Sequence, residues 1–255
     1  MIGLALAFFV TALVYALAGF GGGSTYNALL VLADVDYRAV PILALCCNII
    51  VVALGSWRFA RAGHVDWRRI GPLVMLSVPL AWLGGRLEVP EQLFVGLLAL
   101  SLLVSGLLML GQPRWQREAE APRRGTWIEP VAGGALGFLA GVVGIGGGIF
   151  LAPLLYMLRW DSERAIAGTC ALFILVNSIA GLAGQLGKDD ARVGTALVDH
   201  WALFPAVFAG GVIGSLLGSQ RLDPRHVRIV TAVLVLYVAV RLCMRLYDET
   251  IGAAS

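Results

Sequence analysis

The sequence predicts an all-α polytopic membrane protein made of two inverted five-segment repeats. Each repeat would open with a glycine-broken hairpin, re-entrant or half-length, and continue with three spanning helices. Three observations predict this. Of 255 residues, 59% are hydrophobic and 14% charged, with a mean hydropathy of +0.84; a soluble domain carries about 25% charge and about 45–50% apolar residues. Apolar runs of membrane-crossing length alternate with short, arginine-bearing polar stretches. The chain also repeats itself, halfway along, in both motif and spacing. Such a composition excludes a soluble enzyme, a disordered chain and a nucleic-acid-binding domain.

A spanning helix needs about 20 apolar residues. Residues 38–57, 70–86, 91–111, 164–184, 200–218 and 226–246 qualify. Runs 1–18 and 127–143 each meet a glycine cluster and resume as short runs, 24–33 and 148–158. Ten helical residues rise only about 15 Å, half the hydrocarbon thickness. The opening MIGLALAFFV lacks a basic n-region and reads as mature sequence.

The internal repeat is read residue by residue. Gly19-Phe20-Gly21-Gly22-Gly23 matches Gly144-Ile145-Gly146-Gly147-Gly148, with Asp36 and Asp161 following at the same distance. Arg38-Ala39-Val40 matches Arg164-Ala165-Ile166, and Gly55 and Gly181 stand at equal distances beyond. Residues 1–111 form the N-terminal transmembrane repeat, 112–126 a Pro- and charge-rich cytoplasmic linker, and 127–247 the C-terminal transmembrane repeat. Loop charge sets their relative orientation, because cytoplasmic loops carry the Lys/Arg excess. Loop 58–69 holds Arg58, Arg61, Arg68 and Arg69, whereas its equivalent, 185–199, sets Lys188 and Arg192 against Asp189, Asp190 and Asp199. Loop 86–91 is acidic on balance, whereas its equivalent, 219–228, holds Arg221, Arg225 and Arg228. The bias reverses between the halves, so the repeats are expected to be inverted.

Glycine costs about 1 kcal/mol relative to alanine inside a helix, so three in a row mark a break. In lipid a break is tolerated only where it is buried in protein or lines an aqueous cavity. Two hairpins entering from opposite faces would bring their glycine tips together near the midplane. Each tip is also a helix start, with free N–H groups and the positive dipole end. Gly21, Gly22, Gly23, Gly146, Gly147 and Gly148 are therefore candidates for an anion site that needs no buried cation. Ser24 and Thr25 add hydroxyls in the first copy only; the second has Ile149 and Phe150. The glycines also have a simpler reading, close helix packing. Asn48 and Asn177, three positions apart when the repeats are aligned, are candidate ligand contacts facing one central space. Thr169 is a weaker candidate and Gln185 the weakest, since such residues also bond neighbouring helices.

No Asp, Glu, Lys or His sits mid-span, which leaves no proton relay of the usual kind. Cys46, Cys47, Cys170 and Cys243 lie inside apolar runs and form no CxxC or disulfide pattern. No cofactor, metal or catalytic residue is expected. Trp57, Trp67, Trp82, Trp127 and Trp201 fall near segment ends, as interfacial anchors do.

The repeated G-F/I-GGG break, the D-x-x-RA-V/I helix start and the G-H-V-D-W-R stretch at 63–68 resemble the sulfite exporter TauE/SafE family of permeases. The resemblance covers nearly the whole chain. It implies transport, usually outward, of sulfur-containing anions such as sulfite, sulfoacetate or other organosulfonates. It also implies two inverted modules around a central site at Gly21–Ser24 and Gly146–Gly148. Thr169 falls where the family tends to have a Thr-Ser pair, but here Cys170 follows, and the first half has Leu43 in that place. The resulting expectation is a secondary anion transporter of the bacterial inner membrane, working by alternating access as a uniport or with weak coupling. Its partners would be a small anion and the lipid bilayer. Monomer and homodimer both stay open, as do an anion channel and a membrane-embedded thiol/redox protein.

Overall fold

The computed structural model describes residues 1–17, 19–111, 128–158, 160, 162–188, 192–218, 229, 232, 233 and 235–244. The linker 112–126, Trp127, Asp161 and the loop 219–228 lie outside the described residues. Within them the chain is all-helical: α1 (Ile2–Leu17), α2 (Gly23–Leu32), α3 (Val40–Arg61), α4 (Trp67–Arg86), α5 (Glu91–Gly111), α6 (Ile128–Val143), α7 (Gly148–Met157), α8 (Glu163–Leu186), α9 (Arg192–Asp199), α10 (Leu203–Gly218) and α11 (Val235–Met244). Helices α3, α5 and α8 are long and apolar enough to cross a membrane.

Several boundaries differ from the sequence reading: α3 runs on to Arg61 rather than ending at 57, α10 starts at Leu203 rather than 200, and two further differences have a local cause. Helix α4 starts three residues before 70, because Asp66 caps it: its carboxylate accepts from the amides of Arg68 and Arg69 at 3.0 and 3.4 Å. The polar end of the expected loop is thus the first turn of a helix. Stretch 185–199, read as a loop, contains α9. Ala196 and Leu197 pack against the core while Val198 and Asp199 stay exposed, a pattern too short to register as a periodic run.

Lipid tails are as apolar as leucine, so helices in a bilayer associate through close packing rather than by escaping water. Glycines supply that packing here. Gly133, Gly137 and Gly141 recur every four residues on α6, and β-carbons there would strike the carbonyls of Leu73, Ser77 and Ala81 on α4. Gly210 and Gly214 of α10 meet the carbonyls of Phe9 and Leu13 on α1 in the same way. Gly184 of α8 lies against the Trp82 carbonyl of α4, and Gly85 of α4 against the Gly181 carbonyl. Thus α1 rides on α10 and α6 on α4.

The ends of these helices define two faces. Helix α3 begins where α8 ends: Tyr37, Arg38 and Pro41 share a cavity with Gln185 and Lys188, and Glu88, just past α4, joins them. At the other end of α4, about 30 Å away by helix length, the Arg69 guanidinium donates to the Trp160 carbonyl at 2.5 Å, just beyond α7. Arg58, near the end of α3, donates to the Ser215 carbonyl near the end of α10 at 3.1 Å. Trp57, Trp67, Trp82 and Trp201 are exposed near helix ends, while Trp160 is buried under Arg69.

Gly141→Leu should destabilise the protein by about 3 kcal/mol, the upper range for overpacking, because the obstacle is backbone rather than a side chain that can turn away. Gly96→Leu, where a β-carbon meets nothing within 4 Å, should be nearly neutral. Thermal unfolding of both variants in detergent checks the contrast.

Candidate functional site

Both glycine clusters interrupt their helices. Helix α1 stops at Leu17 and α2 begins at Gly23; α6 stops at Val143 and α7 begins at Gly148. Gly22, the residue before α2, has φ 82° and ψ 5°, a left-handed conformation that costs other residues about 1–2 kcal/mol. It offers no side-chain cap. The amide of Tyr26 bonds the Gly22 carbonyl at 3.0 Å, but those of Gly23, Ser24 and Thr25 find no acceptor among the described residues. Helix α2 therefore begins with unpaired donors at its positive end. Helix α7 starts more tightly, the amides of Phe150 and Leu151 both bonding the Gly147 carbonyl.

The two breaks meet. Asn27 of α2 donates through Nδ2 to the carbonyls of Gly23 and Gly144, each at 3.0 Å, tying one break to the other. Asn48 of α3 donates through Nδ2 to the Ile145 carbonyl at 3.5 Å and to Ser178 Oγ of α8 at 2.9 Å. Asn48 is wedged between the clusters. A β-carbon on Gly21 would collide with its Oδ1, one on Gly23 would stand 3.1 Å from its Nδ2, and one on Gly146 would collide with its Nδ2. Gly146 also has φ 80°, so it is required for conformation as well as for room.

The other expected residues divide. Ser24 is buried in the first turn of α2. The Thr25 hydroxyl is engaged by the Tyr15 hydroxyl at 2.8 Å. Gly147 stands against Phe173 and Gly148 against Ile174. Asn177 is fully buried, but its Nδ2 turns back to the Phe173 carbonyl at 2.8 Å; its neighbour Ser178 is the residue that meets Asn48. Thr169 is buried beside Cys170, whose carbonyl lies near Gly148, and makes no hydrogen bond to the breaks among the described residues. Gln185 donates to the Gly141 carbonyl at 2.9 Å and accepts from Lys188 Nζ at 2.8 Å. Sequence reasoning missed Asn27 and Ser178. Asn27 carried a usable signal, an amide one turn after Gly23 in a half-length apolar helix.

A cavity of about 480 Å³ opens on the face where α3 begins. Pro41 and Val142 line it, and a β-carbon on Gly144 would stand 2.6 Å from Pro41 Cβ, so Pro41 touches both the cavity and the second break. Arg38 and Lys188 line the cavity, and among the described residues Glu88 is the one carboxylate beside them. Burial lowers the Lys188 pKa from the ordinary lysine value, and the Glu88 carboxylate opposes that shift. All four cysteines are free, and no group of three metal-ligating side chains occurs among the described residues.

The family model for the sulfite exporter TauE/SafE matches residues 4–242. The chain belongs to the sulfite exporter TauE/SafE family. It is 34% identical to a probable membrane transporter protein of Sinorhizobium fredii over 94% of this chain and 97% of that one. It is 26% identical to a probable membrane transporter protein of Methanocaldococcus jannaschii over 87% of each chain. A probable membrane transporter protein of Xylella fastidiosa is 33% identical over a shorter stretch, 36% of this chain and 35% of that one. No solved structure matches. As a member of the TauE/SafE family the chain is a multi-pass membrane transporter with a small-molecule substrate.

Lys188 is the sole lysine, which makes its titration directly readable. With its pKa lowered, the amine becomes neutral, and so nucleophilic, at a lower pH than a free lysine. Amine-directed labelling of the Lys188 peptide, followed by mass spectrometry, should have a midpoint below that of a model lysine. Glu88→Gln removes the charge that favours the ammonium and should move the midpoint lower still; a shift upward would contradict the assignment.

Proposed function

We propose that this TauE/SafE transporter moves sulfur-containing oxyanions, such as sulfite, sulfoacetate or related organosulfonates, across the bacterial inner membrane by alternating access. The anion would sit at the meeting of the two glycine breaks. One observation carries this reading: the unpaired amides that open α2 stand beside Asn48, which reaches the opposite break and α8. Donors with fixed positions and partial positive charge suit an anion without a buried lysine or arginine. Gly21, Gly22, Gly23, Ser24, Asn48 and Gly146 hold the central roles. Gly147, Gly148, Thr169 and Asn177 support them from α7 and α8, and Thr25 acts through Tyr15.

Residues 1–111 and 127–247 are assigned as two inverted repeats, joined by a cytoplasmic linker at 112–126. Two features support inversion. The chain leaves α2 toward the cavity face and leaves α7 toward the Trp160 face. Helix α3 begins on the face where α8 ends. The cavity, with Arg38 and Lys188, is the entry from one side, and the Pro41–Val142 wall is the barrier to be opened. Transport need not be proton-driven, since an interior-negative potential expels anions at about 2.3 kcal/mol per charge per 100 mV.

Sulfite and sulfoacetate flux in proteoliposomes tests the site. Gly22→Ala, which adds about 1–2 kcal/mol of backbone strain, and Asn48→Ala should each lower flux at least about tenfold, a loss of about 1.4 kcal/mol of interaction. Both variants should still fold, with thermal midpoints lowered by several degrees, so flux is compared between folded proteins. Unchanged flux in both variants would remove the site, and ohmic single-channel currents would replace alternating access with a channel.

A further inference from the structure

Three fully buried asparagines around the breaks are oriented by main-chain carbonyls. Nδ2 of Asn27 faces the Gly23 and Gly144 carbonyls, that of Asn48 the Ile145 carbonyl, and that of Asn177 the Phe173 carbonyl. A carbonyl only accepts, so each contact selects the nitrogen and turns the amide oxygen the other way. All three Oδ1 atoms are then buried acceptors with no donor partner. Buried acceptors are normally paired, because leaving one unmatched costs stability.

Asn48 gives this surplus a direction. Its Oδ1 lies against Gly21, at the threshold of the unpaired amides of Gly23, Ser24 and Thr25. An acceptor thus stands at Gly21, two residues before the first of the unpaired donors. A fully ionised oxyanion satisfies the amides but sets an oxygen against the Asn48 oxygen, acceptor against acceptor. An oxyanion that keeps one O–H or N–H satisfies both.

We propose that the site selects an oxyanion that still carries a hydrogen-bond donor, hydrogensulfite rather than the sulfite dianion, with Asn48 Oδ1 as the accepting atom. This rests on the function proposed above and narrows it to hydrogensulfite among the anions named there, since ionised sulfoacetate carries no donor. The proton then crosses on the substrate, which is how a transporter with no mid-span carboxylate responds to pH. Sites built to pair with a substrate donor reject analogues lacking it by factors up to about 10⁴–10⁵.

The test is calorimetric binding to the full chain in lipid nanodiscs. Methanesulfonate, with the same single charge and three oxygens but no O–H or N–H donor, is compared with sulfite at mildly acidic and mildly alkaline pH. Hydrogensulfite should bind at least about tenfold tighter than methanesulfonate. Sulfite affinity should fall as pH rises while methanesulfonate stays weak and flat. Asn48→Leu should bring hydrogensulfite down to the methanesulfonate level; the parent comparison decides the matter even if that variant misfolds. Equal binding of the two anions would overturn the inference and leave the site standing. So would binding that requires sodium for both, with the amide oxygens serving a cation instead. Binding of no sulfur oxyanion at any pH would remove the site and the inference together.

Discussion

A main-chain N–H or C=O inside a bilayer has no water to turn to, and that constraint organises this molecule. Each glycine cluster frees backbone groups that an unbroken helix would have paired. Such a break is stable only against other protein, so the two breaks lie in contact, with Asn27 joining Gly23 to Gly144 and Asn48 joining Ile145 to Ser178. These side chains satisfy carbonyls on both sides but leave the first amides of α2 unpaired. What remains is a small set of donors, fixed in place, on which the proposed anion site rests.

Glycine serves a second purpose on the long helices, and the two uses are linked. Backbone-to-backbone packing of α6 on α4 and of α1 on α10 gives a rigid frame that holds the breaks together. The pairing also crosses the proposed repeats, since the first helix of each packs on a helix of the other. Bodies that move relative to one another during transport would then be these mixed groups, α1 with α10 and α6 with α4, rather than the two halves of the sequence. The α3–α8 contact at Asn48 and Ser178 lies between them, where such movement would be felt at the site.

The breaks, the half-length helices and Asn48 were legible because their signals are local: three glycines in a row, a run of ten apolar residues, an amide in an apolar span. Asn27 and Ser178 were not, since their roles depend on partners 117 and 130 positions away. Asn177, three positions from Asn48 when the repeats are aligned, was expected to face the same space, yet one residue along a helix is about 100° of rotation, and Ser178 makes the contact instead. The start of α4 was missed because Asp66 turns polar residues into a helical first turn, and α9 because eight residues hold barely two turns of periodicity. Pro41 read as part of a span; only the structure reveals that it lines the cavity on one side and meets Gly144 on the other.

The division of charge along this path follows from what a transporter must do. The full cations, Arg38 and Lys188, stand in the cavity, where water and Glu88 moderate their hold. Among the described residues the centre offers amides and the Ser24 hydroxyl rather than a charged side chain, and the helix end is equivalent to about half a charge. A buried arginine there would cost several kcal/mol to desolvate when empty and would hold an anion too firmly to release it. Amides cannot lose a proton at any working pH, so the field at the centre is constant and discrimination passes to the ligand. Under the proposed function, what changes with pH is the number of protons on the oxyanion, and the unmatched oxygen of Asn48 is the group proposed to read it.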